Sequence, residues 1–148
     1  MAILILLVVT LSGCTLGFVG PETSGDIGEL MRWVDENVEA TPDYTGEYWQ
    51  SPQETLERGK GDCEDHAVLL LWLFYEATGN KADLVAITRG YGSPHAVVEW
   101  DGVWYDSTWS AEILPGGRLT ETWRISYDLA MLRATRVWTK RFDRPGDV

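Results

Sequence analysis

The first helix signal in the chain is a regular spacing of apolar residues between positions 24 and 39. Apolar side chains recur there every three or four positions, which places them on one face of a helix. They are Ile27, Leu30, Met31, Val34 and Val38. Ser24 or Asp26 is the expected N-cap, since both side chains can accept a backbone N–H. The pattern predicts an amphipathic helix.

Two further helices are indicated by their caps. Ser51-Pro52-Gln53-Glu54 has the form of a capping box with proline at the first helical position, and this helix must stop near Gly59. The next helix begins at Asp62, a good N-cap, and continues through the almost wholly apolar AVLLLWLFYEATG to Gly79. Such a helix is buried on most sides. Cys63 therefore lies in the first turn of a buried helix.

Beyond Gly79 the period of the pattern changes from helical spacing to two. ADLVAITRG, HAVVEW and VWYDSTW read as strands, and Asp101-Gly102 between the last two is a strong hairpin signal. His95 opens one strand of that hairpin and Asp106 lies near the end of the other, so the two side chains can face each other. Together the elements predict an α+β domain whose helices pack on a small antiparallel sheet.

The pattern weakens after residue 109. ILPGGRL is expected to form a loop, residues 126 to 136 a helix, and TKRFDRPGDV a surface tail.

The first fourteen residues, MAILILLVVTLSGC, have a separate character. The apolar run is too short for a bilayer core of roughly 30 Å but suits a secretory signal. Leu11-Ser12-Gly13-Cys14 resembles a bacterial lipobox, although no Lys or Arg precedes the run. We therefore expect a signal peptide over 1–13, lipidation of Cys14, a tether over 14–23 and one domain over 24–148. An uncleaved N-terminal anchor is the alternative. Either places the domain outside the cytoplasmic membrane, at the periplasmic or extracellular face of the cell envelope.

Charge and size limit the function classes. The chain has 148 residues, enough for one domain, and a formal net charge of −11 with a pI near 4.5. Nucleic-acid binding needs clustered Lys and Arg, so this class is excluded. The sequence does not indicate an oligomeric state.

The chain has two cysteines, and lipidation of Cys14 would leave Cys63 without a disulfide partner. A thiol at a helix N-terminus, where the macrodipole carries roughly half a positive charge, is favoured as a thiolate. His95 could then accept its proton, and Asp106 could orient the imidazole. A buried core thiol is the plainer alternative.

GDCEDHA, PHAVVEW and WYDST, in that order, resemble the transglutaminase-like superfamily, and most closely its bacterial cysteine proteinases with a papain-like core. The resemblance covers residues 27 to 110. It implies Cys63 as nucleophile, His95 as general base and Asp106 as orienting acid. The family motif usually has an aromatic residue where this chain has His66, which could compete as the base.

Three acids surround the thiol, and they allow two interpretations. Asp62, Glu64 and Asp65 could simply cap the helix and complement its dipole. They could also form part of a Ca²⁺ site, with further ligands from the 40–50 loop, from backbone carbonyls or from water. The resemblance favours calcium, because calcium-dependent periplasmic members of the family carry acids at these positions. A cation would offset the effect of the acids on the thiolate. The chemistry itself needs no cofactor.

An oxyanion requires two hydrogen-bond donors, and the backbone N–H of Cys63 is the natural first one. The resemblance suggests Gln50 or Trp49 as the second. The sequence thus predicts an exported cysteine hydrolase, a peptidase or amidase that acts on cell-envelope or surface proteins through a thioester. Transamidation of glutamine by the same residues is an alternative. A non-catalytic binding or assembly lipoprotein and a structural calcium-binding protein are two others.

Overall fold

The computed structural model of the protein describes residues 25–43, 48–88, 94–108, 111–114 and 119–142. The predicted signal peptide, Cys14 and the tether lie outside these residues. Four helices and seven strands occur within them. The helices are α1 (Ile27–Asn37), α2 (Pro52–Arg58), α3 (Cys63–Thr78) and α4 (Tyr127–Phe142). The strands are β1 (Glu39–Ala40), β2 (Lys60–Gly61), β3 (Asp83–Thr88), β4 (His95–Trp100), β5 (Val103–Asp106), β6 (Glu112–Leu114) and β7 (Thr120–Ser126).

The first three helices begin at predicted N-caps, and α2 and α3 also end at the predicted glycines. Asp26 Oδ1 accepts the N–H of Glu29 at 3.0 Å at the start of α1. Ser51 Oγ accepts the N–H of Glu54 at 3.2 Å at the start of α2. Both α2 and α3 end at a glycine in the left-handed conformation, which residues with a side chain adopt at a cost. Local sequence therefore determines the limits of these helices.

Five of the strands form one antiparallel sheet in the order β6-β5-β4-β3-β7. β4 and β5 are the predicted hairpin, and Trp100 pairs with Val103 across a turn in which Asp101 and Gly102 both have positive φ. The other two strands, β1 and β2, form a short parallel pair.

The core lies on both faces of the sheet. On one face, Leu84 and Val98 pack with α1 and α3 in the main hydrophobic cluster. On the other, Val85 and Val97 pack with Leu114 in a smaller cluster. Since neighbouring strand residues alternate between faces, β3 and β4 are apolar in consecutive positions because both faces are covered. α3 is buried along most of its length, as predicted.

The C-terminal part differs from the sequence-based expectation. Residues 120–126 form β7, a full strand paired with β3, and α4 extends from 127 to 142, through the start of the predicted tail. Leu114 of the predicted loop ends β6. β7 is an edge strand whose side chains are mostly exposed, so its sequence carries little of the apolar alternation that indicates a strand. No helix among the described residues is long and apolar enough to cross a membrane.

Gly61 joins the small β1–β2 pair to the first turn of α3. Thr41 N–H donates to its carbonyl at 2.8 Å, and Asp65 packs directly over it. A Cβ at position 61 would lie 2.6 Å from Asp65 Cβ, a distance that real Cβ contacts do not reach. The close approach of β2 to α3 therefore requires a glycine.

We expect Gly61→Ala to destabilise the protein by about 1–3 kcal/mol, the usual cost of overpacking, and also to slow alkylation of Cys63. Gly79→Ala is the matched control, because its cost of about 1–2 kcal/mol arises from positive φ alone, at the far end of the same helix. Urea unfolding measures the first effect and iodoacetamide kinetics the second. An unchanged alkylation rate in Gly61→Ala would show that the position of Cys63 does not depend on the close approach of Gly61 to Asp65.

Candidate active site

Cys63 is the first residue of α3, and the helix directs it at the start of β4. Its half-buried sulfur lies within hydrogen-bonding reach of the backbone N–H of Ala96, the residue after His95. Its nearest acidic group is its own neighbour, since Sγ lies 3.4 Å from Glu64 Oε2. The fold thus brings the thiol to the strand that carries the predicted base.

His95 and Asp106 contact each other directly, with 2.7 Å between His95 Nε2 and Asp106 Oδ2. The register explains this contact: Val98 pairs with Tyr105, and alternation along each strand then places His95 and Asp106 on the same face. Thr108 N–H donates to the other oxygen, Asp106 Oδ1, at 3.0 Å. The hairpin therefore holds the imidazole against a carboxylate, as the sequence predicted.

The contact with His95 affects the pKa of Asp106. Burial acts to raise it, but the hydrogen bond and charge of His95, together with Thr108, outweigh burial, and the pKa is lowered. Asp106 is consequently an anion at neutral pH, able to stabilise a charged imidazole.

The pKa of the Cys63 thiol, in contrast, is raised. Burial, and then the negative charge of Glu64 and Asp62, raise the pKa of Cys63 to about 12, although the Ala96 N–H acts to lower it. The protein alone thus disfavours the thiolate. Reactivity would require a positive charge nearby, from a protonated His95 or from a cation at the acids.

The acids around the thiol form a compact cluster. Carboxylate oxygens of Asp43, Asp62 and Glu64 all lie within 4.8 Å of one another. Burial and the adjacent Asp62 raise the pKa of Glu64 to about 8, which is the expected effect of placing carboxylates together. Oxygen donors at this spacing suit a hard cation such as Ca²⁺. Asp43 comes from the 40–50 loop that the sequence suggested as a source of ligands.

Asp65, the third acid of the predicted cation site, lies elsewhere. It is fully buried, and its oxygens accept the backbone N–H of Gln50 at 2.7 Å, the side-chain amide of Gln50 at 2.7 Å and the N–H of Asp62 at 3.2 Å. As the third residue of α3 it points back along the helix toward the cap. Asp65 therefore anchors the chain before α2, and Asp43 takes its place in the cluster.

The two oxyanion candidates differ in what they contact. Nε2 of Gln50 donates both to Asp65 and to the carbonyl of Lys60 at 3.2 Å, which uses both amide hydrogens. The indole Nε1 of Trp49 is buried and has no acceptor among the described residues. Of the two, Trp49 is the one whose side-chain N–H has no acceptor among the described residues.

His66 has a structural contact that the sequence did not reveal. Its ring is fully buried, and Nδ1 lies 2.6 Å from the carbonyl oxygen of Ser107, the residue after Asp106. Burial lowers the pKa of His66, which favours a neutral ring that donates from Nδ1. Because the partner is a backbone carbonyl, no side-chain pattern in the sequence could indicate it. His66 is thus held against the segment that carries Asp106 and is not poised as a competing base.

Sequence comparison assigns the chain to a family. The profile of the CEP76 peptidase-like domain matches residues 47–129, more than half of the chain. The chain belongs to this family. No curated protein shows significant sequence similarity to it.

Solved structures show the same fold in bacterial proteins. Calcium-bound LapG of Legionella pneumophila superposes with the peptidase-like domain at a TM-score of 0.55 and 20% identity, over 67% of this chain and 62% of LapG. EGTA-treated LapG gives 0.53 at 20% identity, over 67% and 61%. A Cytophaga hutchinsonii protein assigned as a cysteine protease gives 0.52 at 20% identity, over 72% and 37%.

These similarities confirm the predicted papain-like, transglutaminase-like core. This chain covers less than two thirds of the length of LapG.

We expect replacement of His66 to loosen Asp106 and so to impair the thiol–imidazole pair. His66→Leu removes the donor to the Ser107 carbonyl and should slow alkylation of Cys63 by about tenfold or more, because small misplacements at a reacting centre are costly. His66→Asn retains a donor close to the position of Nδ1 and should keep most of the rate. Thermal melting should show a similar loss of stability for both, and equal loss of alkylation in both would contradict a positioning role.

Proposed function

We propose that the peptidase-like domain is a cysteine peptidase or amidase that cleaves protein substrates through a thioester of Cys63. The observation that carries this proposal is the 2.7 Å contact between His95 Nε2 and Asp106 Oδ2. His95 lies on β4, and the backbone N–H of the next residue, Ala96, reaches the Cys63 sulfur. An imidazole hydrogen-bonded to a carboxylate, on a strand that approaches a thiol at a helix N-terminus, is the arrangement that nucleophilic catalysis needs. The family of peptidase-like domains supports the same reaction class.

The roles follow from the two ring nitrogens. Asp106 holds Nε2 of His95, so Nδ1 exchanges the proton with Cys63. The thiolate attacks the substrate carbonyl and forms an S–C bond, and Nδ1–H protonates the leaving amine as the C–N bond breaks. Water then attacks the thioester while His95 takes its proton, and the C–S bond breaks to release the acid and regenerate Cys63.

The intermediate oxygen would be stabilised by the backbone N–H of Cys63 and by Trp49 Nε1. The first belongs to the first turn of α3, whose N–H groups have no acceptor within the helix. The second is a buried donor without an acceptor among the described residues. A substrate oxygen would provide one.

Calcium fits the acidic cluster. Asp43, Asp62 and Glu64 would hold it through carboxylate oxygens, and the ion would offset the negative charge that raises the pKa of the thiol. The calcium-bound state of LapG, a protein of the same fold, supports this assignment. The domain would act at the cell envelope, anchored through Cys14, on surface or envelope proteins.

We expect Cys63→Ala and His95→Ala to abolish cleavage, and Asp106→Asn to lower kcat by about 10²–10⁴-fold, because the asparagine no longer stabilises a charged imidazole. Asp101→Asn in the same hairpin is the matched control and should keep full activity, since asparagine tolerates positive φ. Hydrolysis of fluorescein-labelled casein is the assay, with incorporation of dansylcadaverine measured in parallel.

Two outcomes would contradict this function. Amine incorporation that exceeds hydrolysis would indicate a transamidase. A thiol that resists iodoacetamide in the folded protein, with and without calcium, would indicate a non-catalytic binding module.

We expect Ca²⁺ to raise the melting temperature of the protein relative to EGTA, by an amount that corresponds to about 2.7 kcal/mol at a hundredfold excess over Kd. Asp43→Asn and Asp62→Asn should weaken binding measured by calorimetry, and asparagine at 62 still caps α3. Glu36→Gln, an exposed acid on α1, is the control for loss of one charge. Unchanged calcium affinity in both aspartate variants would show that calcium does not bind at this site.

A further inference from the structure

Near the nucleophile lies a group of three side chains, of which only Trp49 has a role in the proposed reaction. Trp49, Trp123 and Arg133 form a stack, which we call the Trp–Arg stack. The rings of Trp49 and Trp123 are 6.3 Å apart and inclined by 27°, and the guanidinium of Arg133 lies 4.2 Å over the ring of Trp49. Trp49 is buried beneath the other two, whereas Trp123 is 38% exposed and Arg133 is exposed. The outer surface of the stack thus presents an indole and a cation.

The register of the sheet places this stack close to Cys63. Trp123 pairs with Ala86, and Ala86 pairs with Ala96, whose N–H meets the Cys63 sulfur. Directly paired residues share a face, and two strand spacings amount to about 10 Å. An extended peptide advances about 3.3 Å per residue, so this is about three residues of bound substrate.

Trp49 is held in place from the other side. Its neighbour Gln50 is bound through backbone and side chain to Asp65, two residues after Cys63. The stack and the nucleophile are therefore tied to the same turn of α3, and their relative position is fixed.

Arg133 is equipped to bind an anion. Stacking on an indole orients the guanidinium but leaves the N–H groups at its edge able to donate, and this planar set matches both oxygens of a carboxylate. No acid among the described residues forms an ion pair with Arg133, whereas Arg124, on β7, bonds Glu121, Asp83 and Glu99. In a chain with a net charge of −11, an exposed arginine without an acidic partner among the described residues is a distinctive local feature.

We propose that the Trp–Arg stack is a substrate subsite that selects an acidic side chain, aspartate or glutamate, about three residues from the scissile bond. The carboxylate would pair with the edge of the Arg133 guanidinium, and the adjoining aliphatic part of the substrate would pack on Trp123. The subsite rests on the proposed peptidase function and names the class of substrate that this site takes.

The test compares cleavage of a mixed peptide library by the wild-type protein, Arg133→Gln and Arg32→Gln, with cut positions read by mass spectrometry. The wild type should enrich Asp and Glu about tenfold at one position about three residues from the cut, because charge-assisted hydrogen bonds typically contribute that much. Arg133→Gln should lose this enrichment, which is measured as the ratio of acidic to neutral peptides cleaved by the same variant and so does not depend on its absolute rate. Arg32→Gln removes an equal charge from the exposed face of α1 and should retain the enrichment.

A separate binding assay distinguishes failure of the subsite from failure of the proposed reaction. Anisotropy of fluorescein-labelled peptides measures binding to Cys63→Ala, with glutamate peptides compared against the same peptides carrying glutamine. Preference for glutamate, lost with added Arg133→Gln, supports the subsite even if no variant cleaves any peptide. Equal affinity for both peptides, or acidic enrichment that persists in Arg133→Gln, would overturn the proposal.

Discussion

The buried carboxylate of Asp65 is the contact on which the rest of the site depends. Burial raises its pKa to about 7, against the lowering effect of the Gln50 and Asp62 N–H groups. Those groups belong to separate segments, which one side chain joins to the first turn of α3. A carboxylate can satisfy several donors at once, and an apolar residue at this position would leave them unpaired in the interior. Trp49 and Gly61 take their positions from this contact.

Two opposing electrostatic demands meet at the start of α3. Acids in the first turn complement the helix dipole and cap the helix, yet Glu64 and Asp62 oppose ionisation of the thiol between them. The same negative charges thus stabilise the helix and lower the reactivity of Cys63. A cation bound at these acids would reconcile them, because it would screen the acids from the sulfur without removing them from the helix terminus.

Local pattern was sufficient to predict the N-caps of the first three helices, the hairpin turn and the facing of His95 and Asp106, because caps, turn residues and alternation act over a few residues. It could not identify Ala96, whose contribution is a backbone N–H, or Asp43, which reaches the cluster from a distant loop. The sequence also grouped Asp65 with the metal-ligand candidates, whereas in the structure its oxygens accept N–H groups of Gln50 and Asp62. Both a ligand and a capping residue appear in the sequence as an acid near a helix start, and only three-dimensional packing separates them.

The sheet order has a consequence for synthesis of the chain. β3 is apolar in consecutive positions, and its outer partner, β7, is the last strand in sequence. Until residues 120–126 have left the ribosome, β3 is an unprotected edge, open to pairing with other chains. The same residues bring Trp123 to the ring of Trp49. A nascent chain therefore gains protection of the β3 edge and this contact between aromatic rings in the same step.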